Sequence, residues 1–265
     1  GQAQTIYTSS ALSSEENGVQ INAFVDSEPT VEDDLAITVS ERDLFVRFGT
    51  GNELIVPSLT VYQQPYSAFV TDVLGNAVVN AEVEFAVVPT GYQKGFYIRV
   101  FDEGGEFERW DPVITAECPS EDLNQDGILN FGEDEQNCPG DDPTCVNNPF
   151  GNGNGILEPG NVANVPATLF TNEEGIAEFN ISYPKDRATW TDVRLEARAP
   201  AVTGTEVLDQ RLFTLEIVAE DVTDEEVPPP GAVSPFGSSS NCECSVQDEL
   251  NNVPGCASLA LFVIP

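Results

Sequence analysis

The sequence predicts an all-β protein, an antiparallel β-sandwich interrupted by one long polar excursion. Three observations point there. Apolar and polar residues alternate with period two in several separate runs, as in strands with one buried and one wet face. Turn-forming clusters of Asn, Asp, Glu and Gly stand between those runs. No stretch sustains the 3.6-residue apolar period of a long amphipathic helix.

The runs can be taken in order. In "VVNAEVEFAVV", Val79, Ala81, Val83, Phe85 and Val87 share one face, opposite Asn80, Glu82 and Glu84. In "IAEFNISY", Ala177, Phe179, Ile181 and Tyr183 alternate with Glu178, Asn180 and Ser182. In "VRLEARA", Val193, Leu195, Ala197 and Ala199 alternate with Arg194, Glu196 and Arg198. "LGNA" at 74–77 and "NEEG" at 172–175 supply the turns.

The stretches "YSAFVTDVLGNAVVNAEVEFAVV" (66–88) and "ATLFTNEEGIAEFNISY" (167–183), with the "TDVRLEARAPAVTGTE" that follows, resemble bacterial immunoglobulin-like domains of the invasin and intimin type. In that family a strand ending in D-x-x-G-N-x-V turns into a second strand, and a T-(D/N)-x-x-G-x-A turn precedes an alternating strand. Both signatures stand here. The resemblance covers roughly residues 55–222 and implies an immunoglobulin-like antiparallel β-sandwich. It also implies work in extracellular stalks, adhesins or fibres, and it brings no catalytic residues. The chain departs from the family over about 89–166, where a short connection is the rule.

Outside this region, residues 1–54 hold further strand candidates, "GVQINAFV" and "DLFVRFG", which either add to the sandwich or form a small lobe concerned with assembly. Residues 223–241 have the Pro/Ser/Gly composition of a linker, and 242–265 form a Cys-bearing tail ending in the apolar "CASLALFVIP".

Charge and composition exclude whole classes of function. Against 45 Asp and Glu stand only 10 Lys and Arg, a net charge of −35, which argues against nucleic acid or an anionic membrane surface as partner. No apolar run approaches the ~20 residues of a membrane span. The chain has no His, so Ser-His-Asp and Cys-His catalysis are ruled out. Trp110 beside Glu108 and Asp111, and Trp190 near Asp186, come nearest to an aromatic-lined carboxylate pair; both read better as core or loop anchors, and no enzyme is expected. The absence of Met fits a processed chain whose leader has been removed.

The six Cys are Cys118, Cys138, Cys145, Cys242, Cys244 and Cys256. Without His they resemble no common zinc site, so disulfides in an oxidising, extracytoplasmic setting are expected. They fall into two groups of three. If all six pair within one chain, at least one bridge joins the excursion to the tail. Cys242 and Cys244 are too close in sequence to bridge each other comfortably and take different partners. The connectivity stays open.

The excursion carries the one motif with chemistry. Residues Asp122 to Glu133, "DLNQDGILNFGE", fit the calcium-loop pattern D-x-[DN]-x-[DN]-G-x₅-E without a mismatch. Asp122, Asn124 and Asp126 place hard oxygen donors at positions one, three and five. Gly127 permits the sharp turn, Ile128 offers its carbonyl, Asn130 ligates directly or through water, and Glu133 closes the site. Ile128 and Leu129 are expected to anchor the loop on apolar neighbours. A degenerate copy follows: "NQDGILNFGE" (124–133) aligns without gaps on "NGNGILEPGN" (152–161). The copy offers Asn152, Asn154, the carbonyl of Ile156, Glu158 and Asn161, but Phe150 stands where the first Asp belongs. A weaker second ion, a water-filled loop, and donation of ligands to the first ion are the three readings. Paired calcium loops resemble dockerin and EF-hand arrangements, although no flanking helices are evident.

These observations together predict a secreted or cell-surface structural protein that binds Ca²⁺. Its partners are expected to be copies of itself in a pilus-like filament or matrix. The alternative is an adhesin that recognises a glycan or host-surface protein.

Overall fold

A computed structural model describes residues 19–25, 28–37, 44–51, 53–72, 74–134, 148–199 and 207–260. Cys138, Cys145, residues 1–18 and the last five residues of the apolar terminus lie outside them. The described chain is all-β apart from short turns and one five-residue helix, and every strand pairing is antiparallel.

Strands β1 (Val19–Val25) and β2 (Glu28–Ile37) form a two-stranded ribbon. A three-stranded sheet has the order β3 (Phe45–Thr50), β4 (Val61–Thr71), β8 (Ile176–Pro184). A second sheet runs β10 (Val207–Thr214), β9 (Thr191–Ala199), β5 (Glu82–Phe101), β6 (Phe107–Pro119). The short β7 (Thr168–Phe170) also pairs with β5.

The two larger sheets share one core, because the alternation read from sequence turns one face of each strand inward. Ala177, Phe179, Ile181 and Tyr183 on β8 are buried, as are Val193, Leu195, Ala197 and Ala199 on β9. They meet Val46, Tyr62, Tyr66, Ala68 and Val70 from β3 and β4, and Val83 and Phe85 from β5. Phe85 and Phe179 lie 4.3 Å apart between ring centres, one of several aromatic contacts across the layers. Val79, expected on this inward face, is 56% exposed, because β5 begins only at Glu82 and Val79 belongs to the turn before it.

The two turn sequences behave as their chemistry requires. Asp72 Oδ1 accepts from the N–H groups of Leu74 and Asn76, and Asn172 Oδ1 from those of Glu174 and Ile176. Gly175 has φ +74°, and a Cβ there would lie 2.8 Å from the Val70 carbonyl oxygen, so only glycine fits.

Strand β5 organises everything else. Both of its edges are used twice. On one edge β9 pairs with Glu84–Tyr92, and beyond it the chain at 232–237 takes over: Tyr97 N–H donates to Ala232 (2.8 Å), Ser234 N–H to Gly95 (2.9 Å) and Gly95 N–H to Gly237 (2.9 Å). On the other edge β7 pairs with Glu82–Glu84 and β6 with Gly91–Phe101. Within the span 89–166, residues to 119 therefore belong to the β5–β6 hairpin with its turn at 102–106, and the excursion proper is 120–167. It leaves and rejoins the same edge of β5, with Ser120 N–H bonded to Thr90 and Phe85 N–H to Ala167.

Of residues 223–241, a linker by composition, 223–228 are exposed and 229–241 are largely packed. Phe236 is 3% exposed and joins a second core with Tyr92, Tyr97, Trp110, Cys118 and Trp190. Trp190 Nε1–H donates to the Gly231 carbonyl and Trp110 Nε1–H to that of Asp224, each at 2.8 Å. Both tryptophans thus anchor this segment. Helix α1 (Val246–Leu250) follows, started by a capping box between Ser245 and Asp248. Two disulfides brace the tail: Cys118 at the end of β6 joins Cys242, and Cys244 joins Cys256. The first ties the root of the excursion to the tail, and Cys242 and Cys244 take different partners.

Candidate functional site

The sequence-predicted loop folds on itself through its own polar side chains. Asp122 accepts from the N–H groups of Asp126 (3.2 Å) and Gly127 (2.8 Å). Asn124 Oδ1 accepts from Asp126 N–H (3.0 Å), and Asp126 Oδ1 from Ile128 N–H (2.8 Å). Asp126 Oδ2 receives the side-chain amides of both Asn124 and Asn130 at 3.0 Å, and Asn130 also donates to the Ile128 carbonyl at 2.9 Å. Glu133, 3% exposed, reaches back across the loop to accept from Leu123, Asn124 and Asn130. All six expected groups are therefore on one small ring. The Ile128 N–H and the Asn130 and Asn124 amides hold the Asp126 carboxyl below the usual carboxylate range. Gly127 has φ +74°, and a Cβ there would approach Asn161 Nδ2 to 2.6 Å.

Ile128 and Leu129 do not anchor the loop. Ile128 is 65% exposed and Leu129 38%. Turning the Ile128 carbonyl inward to the Asn130 amide leaves its side chain outside the ring. The loop instead leans on the sheet by polar contact, with Arg194 of β9 donating to Gln125 Oε1 at 2.6 Å.

The second loop is held by residues that flank the first. Asp134 follows Glu133 directly and accepts from the N–H groups of Gly153 (2.8 Å) and Gly155. Glu121 precedes Asp122 directly; its N–H donates to the Glu158 carbonyl at 2.8 Å, and its Oε2 accepts Glu158 N–H at 2.9 Å. Asn148, 1% exposed, donates to the Glu133 carbonyl at 2.6 Å. Asn152 and Asn154 donate to the two oxygens of Glu158, and Ile156 is 61% exposed. Asn161 belongs to the contact between loops, its amide donating to the Gly127 carbonyl at 3.4 Å.

This interlocking buries acid. Glu121 is fully buried, Asp134 is 5% and Glu158 8% exposed. Burial pushes the Glu121 carboxyl up to about 8, opposed by the Glu158 N–H and reinforced by the charges of Glu158 and Asp134. Glu158 is likewise raised by burial, against the amides of Asn154 and Asn152. Glu121 and Asp134 were not among the residues expected to act. Their signal in the sequence is position, since they are the acids immediately outside each end of the motif.

Among the described residues, no three Asp, Glu, His or Cys side chains stand close enough together to hold an ion as placed. The donor set of the first ring is mixed, with side-chain amides and a backbone carbonyl beside its carboxylates. No helix among them is long and apolar enough to cross a membrane. Comparison with protein-family models, with curated proteins and with solved structures returned no match for this chain.

Proposed function

We propose that this chain is a secreted, calcium-stabilised structural subunit that assembles with copies of itself into a surface filament or matrix. Its two-sheet core is read as an immunoglobulin-like sandwich of the invasin and intimin type, on the strength of the two turn signatures at 72–78 and 171–177. The observation that carries the assembly reading is the β1–β2 ribbon. None of its described residues is buried, and Phe24, Val25, Val31 and Leu35 are 65, 45, 55 and 60% exposed. A lone two-stranded ribbon is at best marginal in water, and exposed apolar side chains on it, here interspersed with Glu28, Glu32, Asp33 and Asp34, invite pairing with a further strand. A neighbouring copy offers it sheet edges of the same kind by strand addition.

The two disulfides support an oxidising compartment. Calcium supports the rest, since the ring from Asp122 to Glu133 supplies the mixed oxygen donors that Ca²⁺ takes, and extracellular sites commonly bind at roughly 10⁻⁴–10⁻³ M. Binding there offsets the repulsion of clustered carboxylates and orders a long segment with little apolar material to bury.

Negative-stain electron microscopy of the native chain tests this reading. Filaments in millimolar calcium that fray after chelation are expected; monodisperse particles in both conditions would refute assembly. Replacing Phe24 and Leu35 by Asp is expected to abolish the filaments while leaving the circular dichroism of the folded chain unchanged.

One observation favours an adhesin instead. The excursion displays Ile128, Phe131, Phe150 and Ile156, each at least 42% exposed. Apolar side chains exposed on the loops of one excursion are what a partner surface would bury. Saturable binding to a glycan or protein, lost in Asp126→Ala with the fold intact, is the outcome that reading requires.

A further inference from the structure

Among the described residues, five buried side-chain polar atoms lack a partner in hydrogen-bonding geometry, and two of them, from different parts of the fold, belong to the seam between the two loops. One is Glu121 Oε1, on a side chain with no exposed surface. The other is the hydroxyl of Tyr92 on β5, 1% exposed, which faces the Glu158 carboxylate within reach of a hydrogen bond but out of good geometry, with the charges of Glu121 and Asp134 beyond. Folded proteins rarely leave such groups unmatched, since burial strips them of water and gives nothing in exchange.

The charge balance at the same place is also incomplete. Asp134 is accounted for by two backbone N–H groups, and Glu158 by two neutral amides. Neither partner carries a positive charge. Among the described residues, the cation that acts chiefly on Glu158 is Lys94. Its ammonium is already committed to Ser239 Oγ, to the carbonyls of Asn241 and Cys244, and to Glu249 at 3.3 Å. Buried carboxylates persist when they are paired or coordinate a metal.

We propose that Glu121 and Glu158 are the acidic ligands of a second calcium site, distinct from the ring of Asp122 to Glu133 and walled by the Tyr92 hydroxyl. Asn152 and Asn154 hold the Glu158 carboxylate through their side-chain amides, while their own oxygens accept the Asn154 and Ile156 N–H groups, so water supplies the remaining ligands. Asp134 holds the 152–155 turn beside the ion through its N–H contacts and adds charge. Two carboxylates with neutral oxygens and no imidazole or free thiolate suit a hard, flexible coordination sphere, which is that of Ca²⁺. The degenerate loop thus recovers the acid it lost at Phe150 from the residue preceding the first motif. This rests on the calcium reading of the excursion and extends it: one ion inside each loop, with Glu121 shared by sequence with the first and by space with the second.

Terbium luminescence separates the two sites, because Tb³⁺ replaces Ca²⁺ and is excited by an adjacent tyrosine. Titration of the chelator-treated full chain, excited at tyrosine, is expected to saturate at two Tb³⁺ per chain, with calcium displacing both. Glu158→Gln and Glu121→Gln are each expected to remove one ion and most of the sensitised emission. Tyr92→Phe is expected to keep both ions and lose that emission, which guards against variants that merely misfold. Asp126→Ala is expected to remove the other ion and leave the emission. A single ion that Asp126→Ala abolishes and the other three variants leave untouched would overturn the second site while sparing the first. An ion lost in Glu158→Gln but kept in Asp126→Ala, with no other bound, would support the second site and remove the first.

Discussion

Replacing Glu249 by alanine is expected to lower the unfolding free energy by about 3–5 kcal/mol, the usual cost of stranding a buried charge. Glu249, 5% exposed, is the centre of the tail's attachment. It accepts from the N–H groups of Ser238 and Ser239 and pairs with Lys94 of β5, which is itself completely buried. Burial pushes the Lys94 ammonium down, and the Glu249 charge opposes that. Without the carboxylate, the lysine loses its counter-charge inside the protein. Gly237 shows how closely the site is fitted, since a Cβ there would lie 2.2 Å from Glu249 Oε1. Urea denaturation followed by tryptophan fluorescence checks this directly, because Trp110 and Trp190 both bond to the segment that Glu249 secures.

The same residue sets a pH dependence. Burial alone would raise the Glu249 carboxyl, but the Ser238 and Ser239 N–H groups and Lys94 outweigh it and hold it below the ordinary 4.5. A carboxyl depressed on folding contributes its stability above the unfolded value and loses it as pH falls through the folded one. The gap between the wild type and Glu249→Gln is therefore widest near neutrality and closes below about pH 4.5. A gap that stays constant through the acid range would contradict this role.

The second large effect concerns the bridge from Cys118 to Cys242. It closes a loop with a sequence separation of 124. Loop-closure entropy assigns such a bridge about 4–5 kcal/mol, against a typical 2–4. The double replacement Cys118→Ser/Cys242→Ser is expected to lose most of that, read as a fall in the urea midpoint. It should also loosen the excursion, because Cys118 ends β6 just before the chain leaves the sheet. The pair Cys244–Cys256 spans only 12 residues within the tail, and its removal should cost less.

What could be read from sequence was what period two encodes. The buried faces of β8 and β9 were legible because alternation is the direct cause of their burial. The turns at 72–78 and 171–177 were legible because Asp72, Asn172 and their glycines act locally. The first loop was legible as a closed ring for the same reason: its polar groups are close in sequence and its hydrogen bonds are mostly internal. The missing parts all depended on long-range contact. Residues 232–241 look like linker because Ser, Gly and Pro carry no apolar signal, yet Ser234, Ser238 and Ser239 are buried against β5 and Glu249. Lys94 gave no sign of lying opposite Glu249, 155 positions on. Glu121 and Asp134 were passed over because their partners sit in the other loop, where only the fold brings them.

On the proposed reading, calcium orders the excursion. Limited chymotrypsin digestion of the native chain, mapped by mass spectrometry, tests it most directly. Leu123, Leu129, Phe131 and Phe150 are at least 38% exposed and offer cleavage sites across the excursion. In millimolar calcium, resistance throughout 120–167 is expected; in excess chelator, rapid cutting at these residues is expected while the two-sheet core stays intact. Equal resistance with and without calcium would contradict it.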